Sequence, residues 1–105
     1  MIQIILYKNQ SENYFKLKAT GHATFQNSQK FNLVCASVSV LLETLLLNFQ
    51  IMSNVSCETV GKGLLEFELL KPDQTSDLIF SVFMVGLKKI SQDHKNEIEI
   101  IYNKI

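Results

Sequence analysis

The sequence predicts an α+β domain, a two-layer sandwich of order ββαββαβ in which two helices pack on a mostly antiparallel sheet. Three observations predict it: short segments alternate apolar and polar residues, two longer segments have helical character, and polar turn sequences separate them. At 105 residues and 47% hydrophobic composition, residues 1–105 are expected to form one domain with a sizeable core.

The first two strands are predicted at residues 2–7 and 14–20. Residues 2–7 are an apolar run rich in Ile, and residues 14–20 alternate apolar side chains with Lys16 and Lys18. The polar sequence KNQSEN between them predicts a turn.

The apolar run 33–52 predicts the first helix, with Asn32 as its N-cap. Its length approaches the roughly 20 residues that span a bilayer. Glu43 lies near its middle, where a carboxylate is costly in lipid, so we expect a buried core helix and no membrane partner. Its surplus of apolar surface predicts a homodimer. The residues expected at that interface are Leu41, Leu45, Leu46 and Phe49.

The second half of the chain predicts a hairpin, a helix and a last strand. The hairpin strands are expected at residues 53–60 and 64–70, joined by GKG at 61–63. Residues 97–102 alternate again and predict the last strand. The apolar face of the second helix is predicted to consist of Ile79, Val82, Phe83, Gly86, Leu87 and Ile90.

Charge and cysteine usage exclude several function classes. Ten basic and ten acidic residues cancel, so no global field attracts a polyanion, and direct nucleic-acid binding is not expected. Cys35 and Cys57 lack metal-binding spacing, which predicts reduced thiols in a cytoplasmic protein without metal or cofactor. The first residues, MIQIILYKNQ, have no basic leader or cleavage site typical of a signal peptide.

His22 and Cys35 form the one pair that predicts catalysis. A helix N-terminus favours a thiolate over a thiol, and the predicted helix places a cysteine in its first turn. A neighbouring imidazole can take the thiol proton and later protonate a leaving amine. The alternative is structural, because a cysteine in an apolar helix is often a small buried hydrophobe. Cys57 and His94 are expected to be structural.

Ser39 lies one helical turn after Cys35 and has two interpretations. Its hydroxyl could hydrogen-bond within an active site, or it could donate to the backbone carbonyl one turn back, which is slightly favoured.

The sequences GHA at 21–23 and LVCASVS at 33–39 resemble those of the ribosomal-processing cysteine protease family, Prp. The similarity extends through most of the chain, including MIQI at the start and GLKKIS at 86–91.

This resemblance implies a small homodimeric α+β endopeptidase. The family removes a short N-terminal extension from large-subunit ribosomal protein number twenty-seven, so that extension is the expected partner. His22 and Cys35 would be the catalytic dyad, with Gly21, Asn32 and Ser39 supporting them.

Two departures from the family pattern are expected to weaken activity. The family usually has Asp three residues before the cysteine, within a GKD-like stretch, whereas this chain has QKFN and Asn32 at that position. Asn can still cap a helix, but it removes a negative charge near the dyad, and the missing Gly restricts the backbone. The alternative function is a non-catalytic ribosome-associated or dimeric binding module that retains the fold.

Overall fold

The computed structural model describes residues 1–21 and 33–105. Its element order confirms the predicted ββαββαβ arrangement and the α+β class. The strands and helices are β1 (Ile2–Lys8), β2 (Tyr14–Thr20), α1 (Leu33–Ile51), β3 (Cys57–Gly61), β4 (Leu64–Glu68), α2 (Gln74–Asp93) and β5 (Ile98–Lys104).

The five strands form one sheet of order β3-β4-β2-β1-β5. Among the described strands, three neighbouring pairs are antiparallel and the pair of β1 with β5 is parallel, which confirms the mostly antiparallel prediction. Because Ile2 pairs with Ile98 in the parallel register, the starts of β1 and β5 lie at one end of the sheet. Gln3 pairs with Thr20, so the end of β2 lies there too.

One core fills the space between the sheet and the two helices. Phe80 of α2 lies at its centre, with its ring centroid 5.0 Å from that of Phe49 and 6.2 Å from that of Phe67. Such aromatic pairs contribute about 0.5–1.5 kcal/mol beyond the burial of their area. The sheet residues buried in this core are Ile2, Ile4, Leu6, Leu17, Ala19, Leu65, Phe67 and Ile98.

The predicted strand at residues 53–60 is too long at its start. Strand β3 begins only at Cys57, and all five of its residues are exposed, so the expected alternation of buried side chains is wrong. Ser53 has a φ of 57°, which no strand accommodates. Asn54 lies in the segment between α1 and β3, and its side chain accepts a hydrogen bond from the Lys71 amide at 2.6 Å. The exposure follows from the position of β3 at the edge of the sheet, where Gln50 of α1 reaches it by donating a 2.5 Å hydrogen bond to the Glu58 carboxylate.

The predicted apolar face of α2 meets the core at Leu87 and, partly buried, at Ile79, Phe83 and Ile90, but one of its predicted residues is wrong. Val82 was expected on the buried face, yet it is 63% exposed. The buried residues Phe80, Met84 and Leu87 define the face that meets the core, with Phe83 partly buried beside them. The helix also packs against α1, because Gly86 brings its backbone close to Leu41: a Cβ on this glycine would lie 3.2 Å from a Leu41 methyl carbon.

The last strand begins and ends later than predicted. Ile98 is buried and Ile100 is partly buried on the core side, as expected, but Tyr102 on the same side is exposed. The strand continues to Lys104, and its last three residues are exposed, although Nζ of Lys88 in α2 lies 5.5 Å from the centroid of the Tyr102 ring.

Helix α1 is long and apolar enough, by length and composition, to cross a membrane. Eight of its 19 residues are buried in the protein's own core, as a core helix requires. Leu45, Leu46 and Phe49 are among them, and Leu41 packs against the core from its edge. The prediction of Leu45, Leu46 and Phe49 as interface residues is therefore wrong, because their side chains are buried within the single chain. The large apolar residues that α1 leaves exposed are Leu33, Val40, Leu47 and Ile51, named here the outer stripe.

Candidate active site

Cys35 lies in the first turn of α1, where the sequence predicts it. It is the third residue of the helix, and that first turn contains no acidic side chain. The helix dipole creates a partial positive charge at such a position, which favours an anionic sulfur. The residue is 6% exposed, so its local surroundings, more than bulk solvent, determine its chemistry.

The two thiols have opposite environments. Cys35 is buried and Cys57 is exposed on β3, and no disulfide joins them. The hydroxyl of Ser56 donates to the sulfur of Cys57, with its Oγ 4.0 Å away. Across residues 1–21 and 33–105, no group of three or more His, Cys, Asp or Glu side chains is arranged to hold a metal ion.

Cys35 borders an open depression of about 210 Å³ at one end of the sheet. This volume is below the roughly 300–1,000 Å³ of sites for drug-sized ligands, so it suits one or two side chains. Four separate parts of the chain form it: the start of β1, the end of β2, the start of α1 and the turn before β5. The described residues that line it are Met1, Ile2, Gly21, Val34, Cys35, Asn96 and Glu97.

Gly21 fixes where the chain leaves β2 beside this depression. Its φ is +81°, in a region that L side chains rarely adopt. Its amide donates a hydrogen bond of 3.0 Å to the Gly63 carbonyl, which ties the end of β2 to the turn between β3 and β4. The next residue in the sequence is His22, so the predicted base is adjacent in the chain to a residue whose backbone is constrained.

Ser39 lies one turn beyond Cys35 on the buried side of α1. Its side chain is buried, and its Oγ has no hydrogen-bond partner within the described part of the chain. The favoured bond to the backbone carbonyl one turn back is therefore absent. Ser37 in the same helix makes that bond, with its hydroxyl donating to the Leu33 carbonyl at 2.8 Å. A buried hydroxyl without a partner costs about 1–3 kcal/mol, which calls for a functional reason.

His22 and Asn32 lie outside the described residues. The dyad of His22 with Cys35 and the capping role of Asn32 therefore remain predictions from the sequence.

Sequence reasoning missed the contribution of the turn before β5. Asn96 and Glu97 line the depression, although residues 97–102 were predicted only as the last strand. No local signal could reveal this, because the parallel pairing of β1 with β5 brings the turn to Cys35. His94, which was predicted to be structural, ends α2 and places its Nδ1 3.0 Å from an oxygen of Glu97.

Comparison with known proteins assigns the chain to a family. A family model described as the cysteine protease Prp matches residues 1–99. The chain belongs to the Prp family. Its enzyme class is therefore that of a cysteine protease, as the sequence predicts. No curated protein matches the sequence.

Solved structures of other proteins share the fold. The essential ribosomal processing protease Prp from S. aureus, in complex with a covalently linked product peptide, has 18% sequence identity and a TM-score of 0.81. The match covers 97% of this chain and 99% of that one. SMU.848 from Streptococcus mutans is 21% identical with a TM-score of 0.77, over 100% of this chain and 99% of that one. At these identities the likeness concerns the fold.

Proposed function

We propose that this protein is an endopeptidase that removes the N-terminal extension of large-subunit ribosomal protein number twenty-seven, with Cys35 as nucleophile. The observation that carries the proposal is the position of Cys35, in the first turn of a helix and on the wall of a depression. The description of the S. aureus relative as a ribosomal processing protease supports the substrate class.

The chemistry follows from a thiol and an imidazole. His22 takes the proton from Cys35, and the sulfur attacks the carbonyl carbon of the peptide bond, forming a C–S bond. The protonated imidazole then gives its proton to the leaving amine as the C–N bond breaks. Water hydrolyses the resulting thioester, which releases the carboxylate product and restores the thiol.

The N-terminal end of α1 supplies stabilisation for this chemistry. Its partial positive charge favours the thiolate, and the same charge stabilises the oxyanion that forms on the attacked carbonyl. The hydroxyl of Ser39, which lacks a partner among the described residues, is available to orient a group beside the sulfur.

We further propose a cytoplasmic homodimer that buries the outer stripe. Leu33, Val40 and Leu47 recur every seven residues along α1, and Ile51 continues the same side of the helix. A seven-residue apolar repeat is typical of helices that pair with another helix. A cytoplasmic location agrees with the absence of a disulfide between Cys35 and Cys57.

The test is cleavage of a synthetic peptide that spans the extension and first mature residues of the ribosomal protein from the same genome. Cys35→Ser should lower kcat by about a thousandfold or more, because the nucleophile is lost. Cys57→Ser is the matched control and should cleave at the wild-type rate. Unchanged cleavage by a folded Cys35→Ser protein would favour the alternative of a non-catalytic binding module.

A further inference from the structure

One acidic side chain borders the depression beside Cys35. Among the described residues that line it, Glu97 alone has a carboxylate side chain. The same wall includes Asn96, whose amide is neutral. A group that occupies the depression therefore has one acidic residue and Cys35 among its neighbours.

Glu97 is held in place by its backbone. Its amide donates to the His94 carbonyl at 3.0 Å, and its carbonyl accepts from the Ile2 amide at 2.9 Å. These bonds fix the turn between α2 and β5 against the start of β1. The carboxylate consequently projects from a rigid position, which a specific binding group requires.

The carboxylate of Glu97 has capacity for a ligand. One oxygen, Oε2, lies 3.0 Å from Nδ1 of His94, and the side chain is 46% exposed. The other oxygen has no hydrogen bond to any residue in the ranges 1–21 and 33–105. A carboxylate has about four acceptor sites, so a second donor can bind without displacing the imidazole.

We propose that Glu97 forms a subsite for a lysine or arginine side chain of the peptide, close to the bond that is cleaved. This inference rests on the proposed function, since it takes Cys35 as the residue that attacks the peptide. A cationic side chain would gain an ion pair with Glu97, whereas an acidic side chain at the same place would be repelled. Glu97 would thus determine specificity without taking part in the chemical step.

Charged thiol reagents test the subsite without any need for peptide cleavage. In a Cys57→Ser background, the labelling rate of Cys35 is measured with cationic 2-aminoethyl methanethiosulfonate and with anionic 2-sulfonatoethyl methanethiosulfonate. The thiolate attacks the reagent sulfur and displaces methanesulfinate. Glu97→Gln should lower the ratio of the cationic to the anionic rate by about fivefold at low salt, since one nearby charge is removed.

Glu99→Gln is the matched control. Glu99 has the same charge and lies two residues further along the chain, but its carboxylate accepts a hydrogen bond from Gln3 and does not line the depression. Its substitution should leave the rate ratio unchanged. An unchanged ratio in Glu97→Gln, an equal fall in both variants, or no labelling of Cys35 by either reagent would overturn the subsite.

Peptides then identify the position that Glu97 recognises. In a set that replaces each residue near the cleaved bond by lysine or norleucine, one position should show a KM about fivefold lower with lysine, and Glu97→Gln should abolish that difference at unchanged kcat. If Cys35→Ser loses cleavage but the wild-type protein shows no lysine preference at any position, the subsite alone would be overturned. Retained cleavage in Cys35→Ser would overturn the proposed function itself.

Discussion

Gly21 and Met1 approach so closely that no side chain fits between them. A Cβ on Gly21 would lie 2.4 Å from the carbonyl oxygen of Met1. The contact joins the end of β2 to the start of β1 at the depression that contains Cys35. The residue before the predicted base is thus constrained by both its φ angle and its neighbour.

Gly21→Ala should destabilise the protein and impair catalysis. The φ of +81° alone makes Ala strained, and the clash with backbone adds to it. We expect a loss of about 1–3 kcal/mol in the free energy of unfolding, measured by urea titration. Gly61→Ala is the control, because a Cβ there meets no atom within 4 Å. Equal stability of the two variants would show that the position of Gly21 tolerates a side chain.

Ser39→Ala should separate stability from activity. Removing a buried hydroxyl that has no partner among the described residues should leave the free energy of unfolding unchanged or raise it by about 1 kcal/mol. If the hydroxyl serves the reaction, kcat should fall at least about tenfold. The control is Ser37→Ala, which removes an exposed hydroxyl bonded to the Leu33 carbonyl. Full activity in Ser39→Ala would exclude a catalytic role for this side chain.

Leu47→Glu should convert the proposed dimer into a monomer. Leu47 lies in the middle of the outer stripe and is exposed in the single chain, so the change should not disturb the core. Burying the new carboxylate at a dimer interface would be unfavourable. Light scattering at micromolar concentration measures the mass. Val82→Glu on α2 is the control, since Val82 is also exposed but lies outside the stripe. A wild-type monomer, or a dimer that survives Leu47→Glu, would contradict the proposed interface.

The sequence predicted most of the fold because its periodicities are local. The alternation of Leu65 and Phe67 with Glu66 identified β4, and both apolar residues are buried as expected. The errors arose where contacts between distant parts of the chain determine which side chains are buried and where a strand begins. Val82 fits a helical apolar pattern, but the face of α2 that becomes buried depends on where α1 and the sheet lie. The start of β3 was misplaced because Asn54 bonds to the distant Lys71.

The candidate site was predictable only in part, for the same reason. Cys35 at a helix start follows from local sequence, since an apolar run begins after a polar segment. The contribution of Glu97 depends on the pairing of β1 with β5, whose residues are 96 positions apart in the chain. The missing hydrogen bond of Ser39 likewise depends on the packed interior around α1, which no spacing rule describes.

The most direct test of the central claim compares how fast iodoacetamide alkylates the two thiols at neutral pH, resolved by mass spectrometry of peptides. Exposure alone would make Cys57 react first, because Cys35 is buried. Activation by the helix N-terminus and His22 predicts the opposite order, with Cys35 faster by about tenfold or more. His22→Ala should remove that advantage while Cys57 reacts as before. Faster labelling of Cys57 in the wild-type protein, or a Cys35 rate that His22→Ala does not change, would contradict the assignment of the dyad.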